Sequence, residues 1–320
     1  MRWVRVLAAI GVLAIGFAPA MATGHDPGPA APVLPGGLAA LAFDPVPWLA
    51  SVLAIGGYLW LVRRIHRSHP RSPVPGWRVV AWTGGVLVVL AALVSALDVY
   101  ADDLLTVHMV QHLLLAMIAP PLPALGAPVT LLLRAATPGL RRRWLLPVLH
   151  SRAVRLLASP LVAWSLFAAV MWFAHFSPLF EAALENDAMH ELEHLAFLGT
   201  GILFWWPVIA SDPIPRRMGF AGRFGYLVAQ MPVNAAVGLA IYFSPAVLYA
   251  HYASLDLGWG PTPLVDQQVA GLIMWGAGDL ILLAGVAGVV GAWMQADARR
   301  ARRADARRMR AAQPDARGPG

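Results

Sequence analysis

Two histidine pairs offer the clearest chemistry in this sequence. In the stretches HMVQH (108–112) and HELEH (190–194), the histidines of each pair stand four residues apart. On a helix that spacing puts both imidazoles of a pair on one face, with Cβ atoms about 5–6 Å apart, so both can reach one ion. Neutral imidazole suits zinc, copper, iron and nickel. Met109 and Met189 sit beside the pairs, and a thioether shifts such a site towards copper(I). The chain has no cysteine, which removes disulfides, iron–sulfur clusters and thiolate sites.

The elements that must position these pairs are membrane helices. Of the 320 residues, 58% are apolar and 13% charged, against roughly 25% charged in a soluble domain. Mean hydropathy is +0.62, and a soluble fold this apolar could not cover its own surface. The reading is an all-α, polytopic membrane protein, a bundle of seven transmembrane helices. A span needs about 20 mostly apolar residues, and seven segments supply them: 46–63, 77–97, 105–133, 159–177, 190–210, 224–245 and 268–294. The third contains Pro120, Pro121, Pro123, Gly126 and Pro128, which predict a kink or break near its middle.

Orientation follows from the basic residues. All 24 are arginine, and 22 of them fall in the connections 63–78, 134–158 and 211–223 and the tail from 295. The other two, Arg2 and Arg5, open an N-terminal stretch with an apolar core and an Ala20-Met21-Ala22 cleavage pattern. It is read as an export signal over 1–22, with an uncleaved first helix as the alternative. Residues 23–44 form a lead-in rich in proline, glycine and alanine, 45–295 the membrane domain and 296–320 a basic tail. Arginine-rich connections stay in the cytoplasm, so the N-terminus lies outside and the C-terminus inside. The tail is expected to lie against anionic lipid headgroups rather than to bind nucleic acid.

With that topology, six of the ten histidines fall at outer helix ends: His108, His112, His175, His190, His194 and His251. Ionisable groups in spans usually face a bundle interior or a cavity. The third and fifth spans both descend from the outer face, so their pairs lie at similar depth, and four imidazoles meet if those helices touch. Asp98, Asp102 and Asp103 lie just above the third span and are placed to orient ring nitrogens, as carboxylates around metal sites do; a solvated acidic loop is the alternative. Asp266 and Gln267 open the seventh span at the same face. Trp205, Trp206, Trp259 and Trp275 read as interfacial anchors or packing. Gln230, Asn234 and Asp279 lie mid-span and read as an interhelical hydrogen-bonded set.

Four functions fit these histidines. HELEH matches the H-E-x-x-H pattern of a metalloprotease, with Glu191 as the water-activating base, but that leaves HMVQH unused. A bis-histidine haem needs one imidazole from each of two helices. Two haems would crowd one level, since i and i+4 differ by about 6 Å of rise. A copper site that holds or hands over the ion uses both pairs. A copper transporter would add a polar path towards Asn234 or Asp279.

The stretches HMVQHLLLAMIAPPLPALGAPVTLLLR (108–134), HELEHLAFLGTGILFWWPVI (190–209) and DQQVAGLIMWGAGDL (266–280) resemble the multispan CtaG-like family of cytochrome c oxidase assembly factors, the branch associated with caa-type oxidases. The likeness covers about residues 45–295, in order. It implies a bacterial inner-membrane, multi-pass protein that is not itself an enzyme and helps copper reach the oxidase metal centres. Its partners would then be oxidase subunits and periplasmic copper donors. His108 and His112 occupy the family's first histidine motif, His194 precedes the FLxxGxLFWWP run, and His190 fits the outer member of the second pair. Glu191 is not part of that motif. A single-span copper chaperone that shares the CtaG name binds copper through cysteines, a mechanism this cysteine-free chain does not share. The expected site is His108, His112, His190 and His194 holding copper, with Asp98 and Met109 as further contributors and His175 and His251 lining the ion's path.

Overall fold

Proline and short polar side chains start the helices. Asp44 accepts a hydrogen bond from the Val46 amide (2.9 Å) ahead of helix α1 (Pro45–Ser68), with proline in its first turn, where the missing N–H costs nothing. A computed structural model of the chain describes residues 44–213 and 217–312. The expected export signal, the lead-in before Asp44 and the last residues of the tail lie outside the described residues. Among these residues the regular elements are helices, and no strand occurs. After α1 come α2 (Gly76–Val94), a short α3 (Ala96–Ala101) and α4 (Leu105–Leu113), which continues into a π-helical turn at Leu114–Ile118. Then follow α5 (Pro121–Gly126), α6 (Pro128–Ala135), short turns over 138–157, α7 (Pro160–Phe176), α8 (Leu179–Glu185), α9 (Asp187–Ile209), α10 (Phe220–Tyr242), α11 (Ala250–Ser254) and α12 (Pro263–Leu272). The short turns over 138–157 include a second π turn at Arg141–Leu145, and a third at Ile273–Ala277 leads into α13 (Gly278–Ala312), which carries the arginine-rich stretch as helix.

The chain is a multi-pass membrane protein. Among the described residues, six helices are long and apolar enough to cross a bilayer: α1, α2, the composite 105–135, α9, α10 and the composite 263–309. The expected fourth span differs. Its helix α7 has 17 residues and reaches spanning length only together with α8, across a bend of 67°. The bend falls where Ser177 is extended and Pro178 follows, a pair that cannot continue a helix.

The composite third span is the middle of the bundle. In its most apolar stretch 61% of residues are buried, against 17% for α1, and it packs against α1, α2, α9 and α12. The expected break is there. The π turn widens the helix at Leu114–Ile118, and Ala127 takes a left-handed conformation (φ 53°) between α5 and α6. A break in lipid must have its polar groups re-satisfied. The Tyr58 hydroxyl donates to the Gly126 carbonyl (2.8 Å), while the buried Asp212 accepts from Val129 N, Thr130 N and Thr130 Oγ1 (3.2, 2.7 and 2.5 Å) at the start of α6.

Close backbone contacts fix the remaining helices. A Cβ on Gly201 of α9 would stand 2.5 Å from the Ala116 carbonyl of the first π turn. Gly238 of α10 and Gly271 of α12 face each other in the same way, at 2.7 and 2.6 Å from the other's carbonyl, as small residues do where membrane helices pack. At the end away from the histidines, arginines satisfy helix C-terminal carbonyls: Arg64 Nε donates to Ala135 O (2.8 Å) and Arg223 Nη1 to Val208 O (3.3 Å).

Candidate metal centre

Both histidine pairs begin helices whose first turns are capped. Asn186 Oδ1 accepts from the amides of Ala188 and Met189 (3.0 and 3.2 Å) at the start of α9. The start of α4 is capped from far along the chain. The Asp266 carboxylate of α12 accepts from Thr106 N (3.3 and 3.4 Å), and Thr106 Oγ1 donates to the Asp266 carbonyl (3.1 Å). Gln267 beside it accepts from Leu248 N (2.7 Å) and donates to the Ile241 and Ala246 carbonyls (3.3 and 3.2 Å), tying down the loop after α10.

The helices α4 and α9 bring the pairs together. Ring centroids are 4.2 Å apart within each pair, 5.4 Å between His108 and His190, and 6.4 Å between His112 and His194. His175, from the end of α7, is 5.7 Å from His112. His108, His112, His175 and His194 are buried and His190 is half-buried. Phe180 of α8 lies 5.1 Å from His108, and Phe197 4.2 Å from His112, so aromatic rings close the cluster.

Glu193 supplies the one carboxylate among these rings. Its Oε2 is 3.5 Å from His112 Nε2 and 3.7 Å from His108 Nε2, with its side chain 9% exposed. Ligand atoms of His108, His190 and Glu193 all lie within 4.8 Å of one another. Separations of 3.5–3.7 Å are long for N–H···O bonds but match a ligand–ligand edge of roughly 3.4 Å around a tetrahedral ion with bonds near 2.1 Å. His112 and His194 have both ring nitrogens unpartnered, and His108, His175 and His190 have Nε2 unpartnered. Buried polar atoms normally find partners, so this concentration of orphan ring nitrogens at one point fits a bound cation.

Two of the rings have their tautomer fixed by neighbours. His175 Nδ1 is 2.6 Å from the Met171 carbonyl, which only accepts, so Nδ1 carries the proton and Nε2 presents its lone pair. The Tyr252 hydroxyl donates to Ala101 O (2.6 Å), which uses its single proton. Its oxygen therefore accepts from His108 Nδ1 (3.2 Å), again leaving Nε2 free. Tyr252 is held in turn by Glu181, which accepts from the Ala250 and His251 amides (2.6 and 3.3 Å) at the start of α11.

The remaining expected residues take other positions. Asp98 accepts from Gln111 Nε2 (2.9 Å), which also donates to Ala92 O (2.9 Å), so the carboxylate fixes the side chain between the two histidines of α4 rather than an imidazole. Burial pushes the Asp98 carboxyl up to about 6, helped by the charges of Asp102, Glu191 and Asp44 and opposed by the Gln111 bond. His251 stands apart, with Nε2 at 2.8 Å from Asp102 O. Met109 is buried and lines a cavity with His112 and His175. Asn234 Nδ2 donates to Met274 O and to Asp279 Oδ1, both at 3.1 Å, the mid-span hydrogen bond expected for these two, whereas Gln230 takes no part in it and its side-chain polar atoms have no partner among the described residues. Sequence reasoning missed Glu193 and Tyr252. Glu193 was within reach, because it lies three residues after His190 on the face shared with His194 and Phe197, whereas Glu191 is exposed.

The chain is 34% identical over 270 residues to uncharacterised proteins of Mycobacterium bovis and of Mycobacterium tuberculosis, and 33% identical over 265 residues to one of Mycobacterium leprae. Those alignments cover 82, 82 and 80% of this chain but 40% of each relative, so the chain spans about two fifths of the length of the curated relatives it matches. No solved structure matches it. A family model described as cytochrome c oxidase caa3 assembly factor matches residues 56–296, from within α1 into α13 and across every residue of the cluster. The chain belongs to that family of caa3 oxidase assembly factors.

Proposed function

We propose that the chain holds copper at the imidazole cluster and passes it on for maturation of a caa3-type oxidase, without itself being an enzyme. The observation that carries this reading is the set of four buried imidazoles and the half-buried His190, with unpartnered nitrogens, beside the Glu193 carboxylate. His108, His112, His190 and His194 hold the ion, with Glu193 as the anionic partner. The arginine asymmetry supports seven spans, with α7 and α8 together as the fourth, the N-terminus outside and the C-terminus inside. In a bacterial inner membrane the cluster then opens towards the periplasm, where copper donors load it and oxidase subunits receive the ion. His251, near the acidic turn at Asp102, and His175, at the inner end, bracket the ion's path.

The competing readings have less support. The glutamate that a hydrolase would use, Glu191, is exposed, and the inward carboxylate is Glu193. Phe180 and Phe197 pack against the imidazoles and occupy the space a porphyrin would need.

The test is metal analysis of the purified full chain. His112→Ala combined with His194→Ala is expected to lower the bound copper by at least one equivalent and to leave the oxidase short of its copper centres in cells; an unchanged copper content in the double variant would refute the assignment. A gentler change, Tyr252→Phe, removes the oxygen that fixes the His108 tautomer. It is expected to weaken copper binding about 10-fold, the lower end for a residue that orients a ligand. Competition against a chelator of known strength reads this, and an unchanged affinity would mean that Tyr252 does not orient the site.

A further inference from the structure

We infer that a second metal subsite, selective for a soft monovalent ion such as Cu(I), lies directly beneath the imidazole cluster in a chamber of four methionines. This inference rests on the copper reading of the cluster above it.

The chamber is a cavity of about 10 Å³ lined by Met109, Met117, Met171 and Met274 together with Leu113 and Ala116, and by His112 and His175 at its upper side. The four methionines come from four different elements: Met109 from α4, Met171 from α7, Met117 from the first π turn and Met274 from the third. All four methionines are buried. Methionine often fills gaps in a core, but gap filling does not account for two further observations. His112 and His175, both buried and each with an unpartnered ring nitrogen, are among the residues that line this same space. Two of the three π turns, at Leu114–Ile118 and Ile273–Ala277, each deliver one methionine to it, and π turns inside helices are frequent at functional sites. The turn at Ile273–Ala277 is braced by the Asn234 bond to the Met274 carbonyl (3.1 Å) and by the Gly238–Gly271 contact just before it.

Size and charge select the occupant. A space of this volume admits about one water-sized sphere, so a hydrated ion does not fit and a bare one does. Thioethers are neutral and soft, which matches Cu(I) and disfavours harder ions. The cost of burying an ion grows with the square of its charge, so a divalent ion costs about four times as much as a monovalent one in the same low-dielectric surroundings. Divalent ions therefore stay at the cluster, beside the Glu193 carboxylate, and a monovalent ion can descend. His112 and His175, which belong to both spaces, are the step between them.

The experiment uses the full chain in detergent, titrated anaerobically with Ag(I), a redox-inert stand-in for Cu(I), and separately with Zn(II). Met117→Leu combined with Met274→Leu keeps volume nearly constant. It is expected to remove one equivalent of Ag(I), or weaken that step at least tenfold, with Zn(II) binding unchanged. His112→Ala combined with His194→Ala is expected to remove Zn(II). Unchanged Ag(I) binding in the methionine variant, with Zn(II) retained, overturns the chamber and leaves the cluster standing. Absence of Zn(II) from the wild type overturns the cluster, and sulfur-ligated Ag(I) would then support the chamber alone. Should the variant fail to fold, Cu(I)-loaded wild type labelled with selenomethionine answers the question by X-ray absorption: selenium neighbours at copper support the chamber and their absence overturns it.

Discussion

Glu193→Gln is expected to weaken copper binding by about 10- to 100-fold, while Glu191→Gln leaves it unchanged. The range is that measured for loss of a partner around a metal site. Glutamine keeps the shape of the side chain and one acceptor oxygen but removes the charge. Glu193 is the carboxylate within 3.5–3.7 Å of the imidazoles, with its side chain 9% exposed. A cation brought into that space therefore loses its compensating anion, and uncompensated charge in a low-dielectric interior is expensive. Glu191 is exposed and has water or headgroups for company. Chelator competition on the two purified variants reads the difference. Equal losses in both, or a larger loss in Glu191→Gln, would place the carboxylate of the site on the wrong residue. The same pair of variants separates the copper reading from a hydrolase, because a hydrolase of the H-E-x-x-H type depends on Glu191.

How much of this site could be seen in the sequence depends on the distance over which each contact acts. The four histidines were legible because i,i+4 spacing is a local rule and both pairs sit at helix starts. Glu193 was within reach but was missed, because HELEH offers two glutamates and the lipid side of α9 decides between them. That side is marked by Leu192 and Leu195, 56 and 64% exposed, which turn Glu193 inward. Tyr252 meets His108 across 144 residues, and no pattern in the chain announces such a contact. Asp98 was expected beside an imidazole on the strength of its place above the third span, and Gln111 intercepts it. The prolines of the third span foretold a break, but its form, a π turn followed by left-handed Ala127, follows from packing against α9 and from the bond Tyr58 makes to Gly126. The same limit applies to the fourth span, where apolar length was legible and the 67° bend was not.

Gly201→Val is expected to abolish copper binding with every ligand residue still in place. Gly201 lies on α9 about two turns below His194, and Ala116 lies about one turn below His112, so their contact holds the two pairs at one level. A Cβ at Gly201 would sit 2.5 Å from the Ala116 carbonyl and 2.8 Å from Pro120 Cγ. Neither is the free end of a flexible side chain, so relief comes only from moving α9 away from the π turn. Metal sites tolerate ligand displacements of about 0.5 Å, and a valine at this crossing demands more than that. Gly201→Ala should show the same effect in weaker form, with lower thermal stability, since overpacking a well-filled core typically costs about 1–3 kcal/mol. Gly199→Ala is the control, because nothing lies within 4 Å of a Cβ there and alanine is the better helix former by about 1 kcal/mol. It should bind copper as the wild type does. If Gly201→Val retained copper at wild-type affinity, α4 and α9 would not need this contact to hold the imidazoles together, and the cluster would owe its geometry to the Asp266 and Glu181 caps alone.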